Sequence, residues 1–264
     1  MEVRHPKEYL VSIILPTRKR VKDLHETLES ILNNANLSNS NFEIILKVDY
    51  YDKETIEYIN QTLTNDHTNI NVILNSRLDG WLNLVDFIET MIDASKGKYI
   101  WNINDDSRIL TPNWNDILET ELTEFKIYHP LIDWGPDLNG YIHSFREIFP
   151  IYPKKLKELW GYICPHNNID SWLYFIGKNI GLDPWNIQFM SYLDHLVVSH
   201  YQIPDETSKD KMDQIDQIHG MADQHENSKE LYHSINLIDE YIKYTTWNDL
   251  YKHNIVNNYR NRYL

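Results

Sequence analysis

The stretch Lys98-Tyr99-Ile100-Trp101-Asn102-Ile103-Asn104-Asp105-Asp106-Ser107 runs an apolar strand pattern straight into two adjacent carboxylates. Ahead of it, Leu84 to Ala94 repeats apolar residues at helical spacing, and Gly97 supplies the stop that lets the chain turn into a strand. Behind it, Pro112 suits the first turn of a further helix carrying Trp114, Ile117, Leu118 and Leu122. The two Asp residues are therefore expected at the C-terminal end of a strand, in a strand-to-helix loop. Open α/β sheets bind their ligands at that edge.

Working back toward the N-terminus, Tyr9 to Leu15 reads as a buried strand closed by Pro16-Thr17, and three cations, Arg18-Lys19-Arg20, leave it together. Val21, Leu24, Leu28, Ile31 and Leu32 recur at helical spacing. Phe42 to Val48 is a second buried strand ending in Asp49, and Asp52 is placed to cap a helix carrying Ile56, Ile59 and Leu63. A third strand, Asn71 to Leu74, leads into Asn75-Ser76-Arg77. This alternation predicts an α/β fold with a mostly parallel sheet and helices on both faces.

Past Phe125 the pattern loosens. Ile127 to Trp134 reads as a strand, Tyr141 to Tyr152 as a strand or hairpin arm, and Pro153 as the opening of a helix that ends at Gly161. A polar loop from Cys164 runs into a helix expected to stop near Gly177, and Phe189 to His200 contains a β-rich run. From Pro204 the composition shifts: Asp205 to Glu230 holds eight Asp and Glu against three Lys, with further helical patterns after Leu231. Residues 1–203 are read as the main domain and 204–264 as a helical extension packed on it.

The net charge of -14 over 264 residues argues against nucleic acid as the main partner, since that binding needs a basic surface. No apolar run reaches the length of a membrane span, and the polar start Met1-Glu2-Val3-Arg4 shows no signal peptide, so a cytoplasmic location is expected. The single cysteine, Cys164, excludes an intrachain disulfide and a cysteine-rich zinc site.

Two neighbouring carboxylates are costly to keep ionised, and a hard divalent ion bound through oxygen is one way to neutralise them. The other reading of Asp105-Asp106 is a solvated turn. Arg18, Lys19, Arg20 and Arg77 all follow strand ends on one rim, where they either gather around a diphosphate or form solvated surface charge. Asp49 can accept hydrogen bonds from a nucleobase or ribose, or cap the following loop. Asp170 reads first as a helix N-cap and second as a general base. His200 is a candidate metal ligand, with His195 and His166 weaker ones of the same kind. Trp81, Trp134, Trp160 and Trp172 are either sugar-stacking rings or core.

Taken together, these residues resemble the family 2 glycosyltransferases, which have the nucleotide-sugar-binding fold called GT-A. Val11 to Arg20 is similar to that family's first strand and nucleotide-binding turn, which brings in Pro16, Thr17, Arg18 and Arg20. Phe42 to Asp49 is similar to its second strand and base-contacting acid, and Ala94 to Ile100 to its approach to the DXD motif. Asn104-Asp105-Asp106 would be that motif, with Asn104 in place of the first acid. The resemblance implies that Asp105 lies near the ribose, that Asp106 binds Mg²⁺ or Mn²⁺ with His200, and that Asp170 is the catalytic base. It further implies an inverting, metal-dependent enzyme with a nucleotide-sugar donor, a UDP-sugar favoured, and a glycan or other hydroxyl acceptor. Gly80-Trp81-Leu82-Asn83 departs from the family's usual pattern after the third strand. The competing expectations are a nucleotidylyltransferase, which would want a Gly-rich basic loop after Leu15, and a catalytically silent binding protein of the same fold.

Overall fold

The computed structural model describes residues 8–63, 69–76, 84–133, 143–144, 148–165, 169–180, 189–200, 233–238 and 241. Its first half is a run of parallel strands: β1 (Tyr9–Thr17), β2 (Phe42–Asp49), β3 (Ile70–Asn75) and β4 (Gly97–Asn102). They alternate with helices α1 (Val21–Asn33), α2 (Lys53–Thr62) and α3 (Leu84–Ala94). In space the order is β3-β2-β1-β4, so β1 and β2 lie inside the sheet, and every residue of β2 is buried.

Beyond β4 come β5 (Ser107–Ile109), α4 (Trp114–Glu121), β6 (Ile127–Asp133), β7 (His143–Ser144), β8 (Ile151–Pro153), α5 (Lys155–Trp160), α6 (Ile169–Ile180) and β9 (Met190–His200). Here the sheet becomes mixed. β8 pairs antiparallel with β4 and with β6, β6 runs parallel to β9, and β5 closes the edge antiparallel to β9. Because β8 reverses direction between them, β4 and β6 point the same way and deliver their C-terminal ends to one rim.

Helices cover both faces. Leu24, Leu28 and Ile31 of α1 share one core with Ile59 of α2, Trp114 and Leu118 of α4, and Trp101 of β4. On the other face, Ile88, Met91 and Ile92 of α3 pack with Leu156 and Trp160 of α5, and with Ile169, Trp172 and Leu173 of α6. The helical residues 233–238 add Ile238 to this second core, and Tyr162 Oη meets Ser234 Oγ at 3.2 Å. The acidic segment 205–230 lies outside the described residues.

Gly97 is where the strand entering the site needs a glycine. A Cβ there would sit 2.5 Å from both the backbone N and Oγ of Ser12 and 2.8 Å from the Val11 carbonyl carbon. Only without that atom can β4 start flush against β1, with Gly97 N donating to Ser12 Oγ at 2.8 Å. Ser12 passes its own hydrogen to Glu43 Oε1 at 2.6 Å, which also satisfies a fully buried carboxylate.

Several boundaries differ from the sequence reading. The loop after the Asp pair leads into β5 rather than directly into a helix, because Ser107–Ile109 finds an antiparallel partner in β9. Pro112 precedes α4, which starts at Trp114, and Pro153 ends β8 instead of opening α5. α6 runs past Gly177 to Ile180, and a Cβ at Gly177 would lie 2.3 Å from Met190 Cγ. Tertiary packing thus keeps a glycine inside a helix where propensity alone would end it.

Candidate active site

Asp105 and Asp106 form the turn between β4 and β5, only 5% and 7% exposed. Thr17, the last residue of β1, donates its hydroxyl to Asp105 Oδ2 at 2.7 Å. Arg20, one residue ahead of α1, reaches over the turn so that its Nη1 lies 3.1 Å from Asp105 Oδ1 and 3.2 Å from Asp106 Oδ2. A single nitrogen therefore bridges both carboxylates. On the far side, the β5–β9 ladder sets His200 opposite Ser107, and His200 Nε2 comes to 3.4 Å from Asp106 Oδ1. At that distance the two make a close polar contact rather than a well-formed hydrogen bond.

The two carboxylates titrate in opposite directions. Burial pushes Asp105 up to about 6, against the lowering influence of Arg20 and the Thr17 hydroxyl, while the Asp106 charge adds to the rise. Burial also opposes ionisation of Asp106, but His200 and Arg20 outweigh it and hold that carboxyl below its ordinary value. Asp106 is thus the more acidic member of the pair.

The backbone of the turn is fixed from beneath by residues that the sequence reading missed. Thr27 Oγ1 lies 2.7 Å from the Asp105 carbonyl oxygen and 2.8 Å from that of Ser107. Arg108, the first cation after the pair, donates from Nη1 to Thr27 Oγ1 at 2.7 Å and to the Ser107 carbonyl at 2.9 Å, and from Nη2 to Glu26 at 2.6 Å. The available signal was positional: Thr27 is a polar residue on the apolar face of α1 among Leu24, Leu28 and Ile31, and Arg108 follows the carboxylates by two residues.

A second cluster sits at the end of β2. Asp49 takes a hydrogen bond from Lys47 Nζ, and Arg18 Nε stands 3.6 Å from its other oxygen. Lys47 is 2% exposed, with its ammonium 3.8 Å from the centre of the Phe87 ring. It went unremarked in the sequence although it is a cation inside a strand whose every residue is buried. Asp52 caps α2 as expected, through Thr55 N, and also accepts from Lys19 N at 2.5 Å, which ties the β2–α2 turn to the β1–α1 turn. Tyr50 and Tyr51 project from this turn with ring centroids 4.4 Å apart.

The structure accordingly brings Thr17, Arg20, Asp105, Asp106 and His200 into one cluster and pairs Arg18 with Asp49. Pro16 lies in β1 beside Lys47, and Asn104 accepts from Ser107 N at 3.2 Å within the turn. Asp170 is the second residue of α6, on the opposite face of the sheet from α1, where its charge acts on the Tyr152 hydroxyl. His195 is engaged by Asp194 at 2.9 Å and Glu121 at 3.1 Å, apart from the cluster. Trp160 and Trp172 are core, with rings meeting edge-on at 6.2 Å. Arg77, His166, Trp81 and Trp134 lie outside the described residues.

Comparison with known proteins decides the family. The family described as Glycosyl transferase family 2 matches residues 12–175. The chain belongs to that family. As a family 2 member it is a glycosyltransferase, and residues 12–175 contain every clustered site residue except His200. No curated protein matches it. Among solved structures it is similar to S. aureus TarS 1-349 in complex with UDP-GlcNAc, with 14% identity, a TM-score of 0.56 and coverage of 88% of this chain and 71% of that one. The same TarS fragment with UDP aligns at a TM-score of 0.51, again with 14% identity, over 88% and 70% of the two chains. These likenesses give the GT-A fold. No helix among the described residues is long and apolar enough to cross a membrane.

Proposed function

We propose that this chain is a metal-dependent, inverting glycosyltransferase that takes a sugar from a UDP-sugar donor and delivers it to a glycan or other hydroxyl acceptor. The observation that carries this reading is the convergence of Thr17, Arg20, Asp105, Asp106 and His200 on one rim of the sheet, at the end of β4. The UDP-GlcNAc and UDP complexes of the structurally similar TarS support the choice of donor.

The residues present fit a divalent ion. Asp106 Oδ1 is buried without a hydrogen-bond partner, and His200 Nε2 stands 3.4 Å from it, a separation suited to two ligands of one ion. Among the described residues no group of three or more His, Cys, Asp or Glu comes together, so diphosphate oxygens and water would complete the shell, as is usual for Mg²⁺. The bound Mn²⁺ or Mg²⁺ supplies Lewis acidity to the departing diphosphate.

The chain's own residues do the rest. Asp49, oriented by Lys47, accepts from an N–H of the base, and Asp105, held by Thr17, accepts from the ribose. Pro16 and Thr17 line the floor beside them, Asn104 lines the turn, and Arg18, Arg20 and Arg77 serve the phosphates. Asp170 removes the proton as the acceptor oxygen bonds to the anomeric carbon from the face opposite the leaving group. The bond from that carbon to the diphosphate oxygen breaks, and its electron pair departs on UDP. Residues 1–203 form the GT-A domain in this reading, with 204–264 packed on it as a helical extension.

A thermal-shift screen tests the donor site. UDP and UDP-GlcNAc, each with Mn²⁺, should raise the unfolding midpoint, and EDTA should abolish the rise. Folded protein with no shift from any nucleoside diphosphate sinks the reading.

A further inference from the structure

The Asp pair is neutralised here by a cation that belongs to the chain. Arg20 Nη1 touches one oxygen of each carboxylate, and the Arg20 side chain is only 12% exposed. We propose that Arg20 is an exchanging cation, resting on Asp105 and Asp106 before the donor binds and moving its charge onto the diphosphate when donor and ion arrive. This inference rests on the donor-site reading above and specifies how that site is kept ready.

Three observations carry it. The first is charge: two adjacent buried carboxylates repel, and His200 faces only Asp106, so Arg20 is what makes Asp105 and Asp106 tolerable side by side. A divalent ion at Asp106 would then meet a guanidinium already on the same carboxylate. Two cations on the two oxygens of one carboxylate repel each other, and an anion between them, such as the diphosphate, relieves that repulsion.

The second is that the turn does not depend on Arg20 for its shape. Asp105 keeps its bond from Thr17 at 2.7 Å, and the turn's carbonyls stay tied to Thr27 at 2.7 and 2.8 Å, with Arg108 behind Thr27. Arg20 can therefore leave without the carboxylates moving. The third is reach: Arg20 lies three residues past Thr17 at the end of β1, on the rim where the diphosphate is expected, and a guanidinium can take two phosphate oxygens at once.

The consequence is a pair of effects with opposite signs. Arg20→Gln removes the competitor for the carboxylates and the partner of the phosphates together. Binding of Mn²⁺ alone should tighten about threefold or more, while UDP binding in the presence of Mn²⁺ should weaken about tenfold. A residue that only stabilised the turn would weaken both.

The measurement is the free Mn²⁺ electron paramagnetic resonance signal, titrated with full-length wild type and Arg20→Gln, alongside calorimetric UDP titrations with Mn²⁺. Tighter Mn²⁺ binding with weaker UDP binding is the expected result. Folded Arg20→Gln with unchanged or weaker Mn²⁺ affinity, or with unchanged UDP affinity, overturns the exchange while leaving the donor site intact. Wild type that takes no UDP with Mn²⁺ overturns the donor-site reading, and this inference with it. If Arg20→Gln does not fold, Arg20→Lys carries the test. Its shorter side chain reaches the carboxylates less well and cannot take two phosphate oxygens as a fork, so the same two shifts are expected at smaller size, and their absence overturns the exchange.

Discussion

The half of the sheet built from β1 to β4 ends in polar groups that hold one another, whereas the half built from β6 and β8 buries polar atoms without hydrogen bonds. In the first half, Asp105 has a partner on each oxygen, Asp49 is clasped by Lys47 and Arg18, and Thr27 ties down two carbonyls of the turn. In the second, the Tyr152 hydroxyl, both ring nitrogens of His129 and the Trp160 indole nitrogen are buried with no hydrogen-bond partner. Trp101 Nε1, Ser107 Oγ and Asp106 Oδ1 are exceptions within the first half. The difference teaches that the donor side is fixed in advance by its own network, which favours reactant positioning. Substitutions should consequently act with opposite signs on the two sides: removing a polar group costs stability on the donor side and relieves a burden on the other.

The largest effect is expected at Asp170, a residue of the second half to which the proposed function gives a chemical role. Asp170→Asn should lower transfer about a thousandfold, within the range of a lost general base, and leave UDP affinity nearly unchanged. Product formation and a UDP titration on the same preparation measure both. Retained turnover would remove Asp170 from the mechanism and leave the second half a scaffold.

Next comes the buried pair at β2. Lys47→Met keeps the apolar stem over Phe87 but strands the Asp49 carboxylate, and breaking such a pair costs about 3 kcal/mol or more. Urea unfolding should report the loss, together with weaker UDP binding. A variant as stable as wild type would mean that Arg18 and water suffice for Asp49. Thr27→Val follows, at about 2 kcal/mol, because the Asp105 carbonyl loses its donor and Arg108 Nη1 loses an acceptor, while Arg108 still serves the Ser107 carbonyl. Donor affinity should also fall several-fold, and Thr27→Ser should restore both stability and affinity. Failure of Thr27→Ser to rescue would show that the methyl group, not the hydroxyl, matters.

These sites differ in how far the sequence announced them. The β1–β4 half was legible because buried parallel strands write themselves as continuous apolar runs, and the runs of β1, β2 and β4 lead to Thr17, Asp49 and Asp105. α3 was read to the residue. The partners that hold those residues were not legible, because Thr27, Lys47 and Arg108 become informative only once α1 packs on β5 and α3 on β2. The β6–β9 half was obscure for a different reason. Its strands pair in mixed directions and across long separations, and β5 and β8 are three residues each, too short to show a period. Without β5, nothing in the sequence explains how His200 comes to face Asp106.

His129 offers the finest test of the contrast. It is 1% exposed, and burial depresses its imidazole to about 4. The native state therefore binds fewer protons than the unfolded chain between about 4 and the ordinary value near 6.5, so this contribution is present above 6.5 and is lost as pH falls through that window. Asp105 works the other way. Its carboxyl is raised to about 6, so its contribution is full below the ordinary value near 3.8 and is lost as pH rises toward 6. The two windows overlap with opposite slopes, which partly conceals each. His129→Phe deletes one and relieves two unpartnered nitrogens. At pH 7 the variant should match or exceed wild type by up to about 1 kcal/mol. On going to pH 5.5 it should lose roughly 1 kcal/mol less than wild type, the share that one histidine depressed this far contributes. Metal-free urea unfolding at the two pH values gives the difference. Equal losses in variant and wild type would mean that His129 is protonated in the native state, and its half of the molecule would then satisfy its polar groups as well as the donor side does.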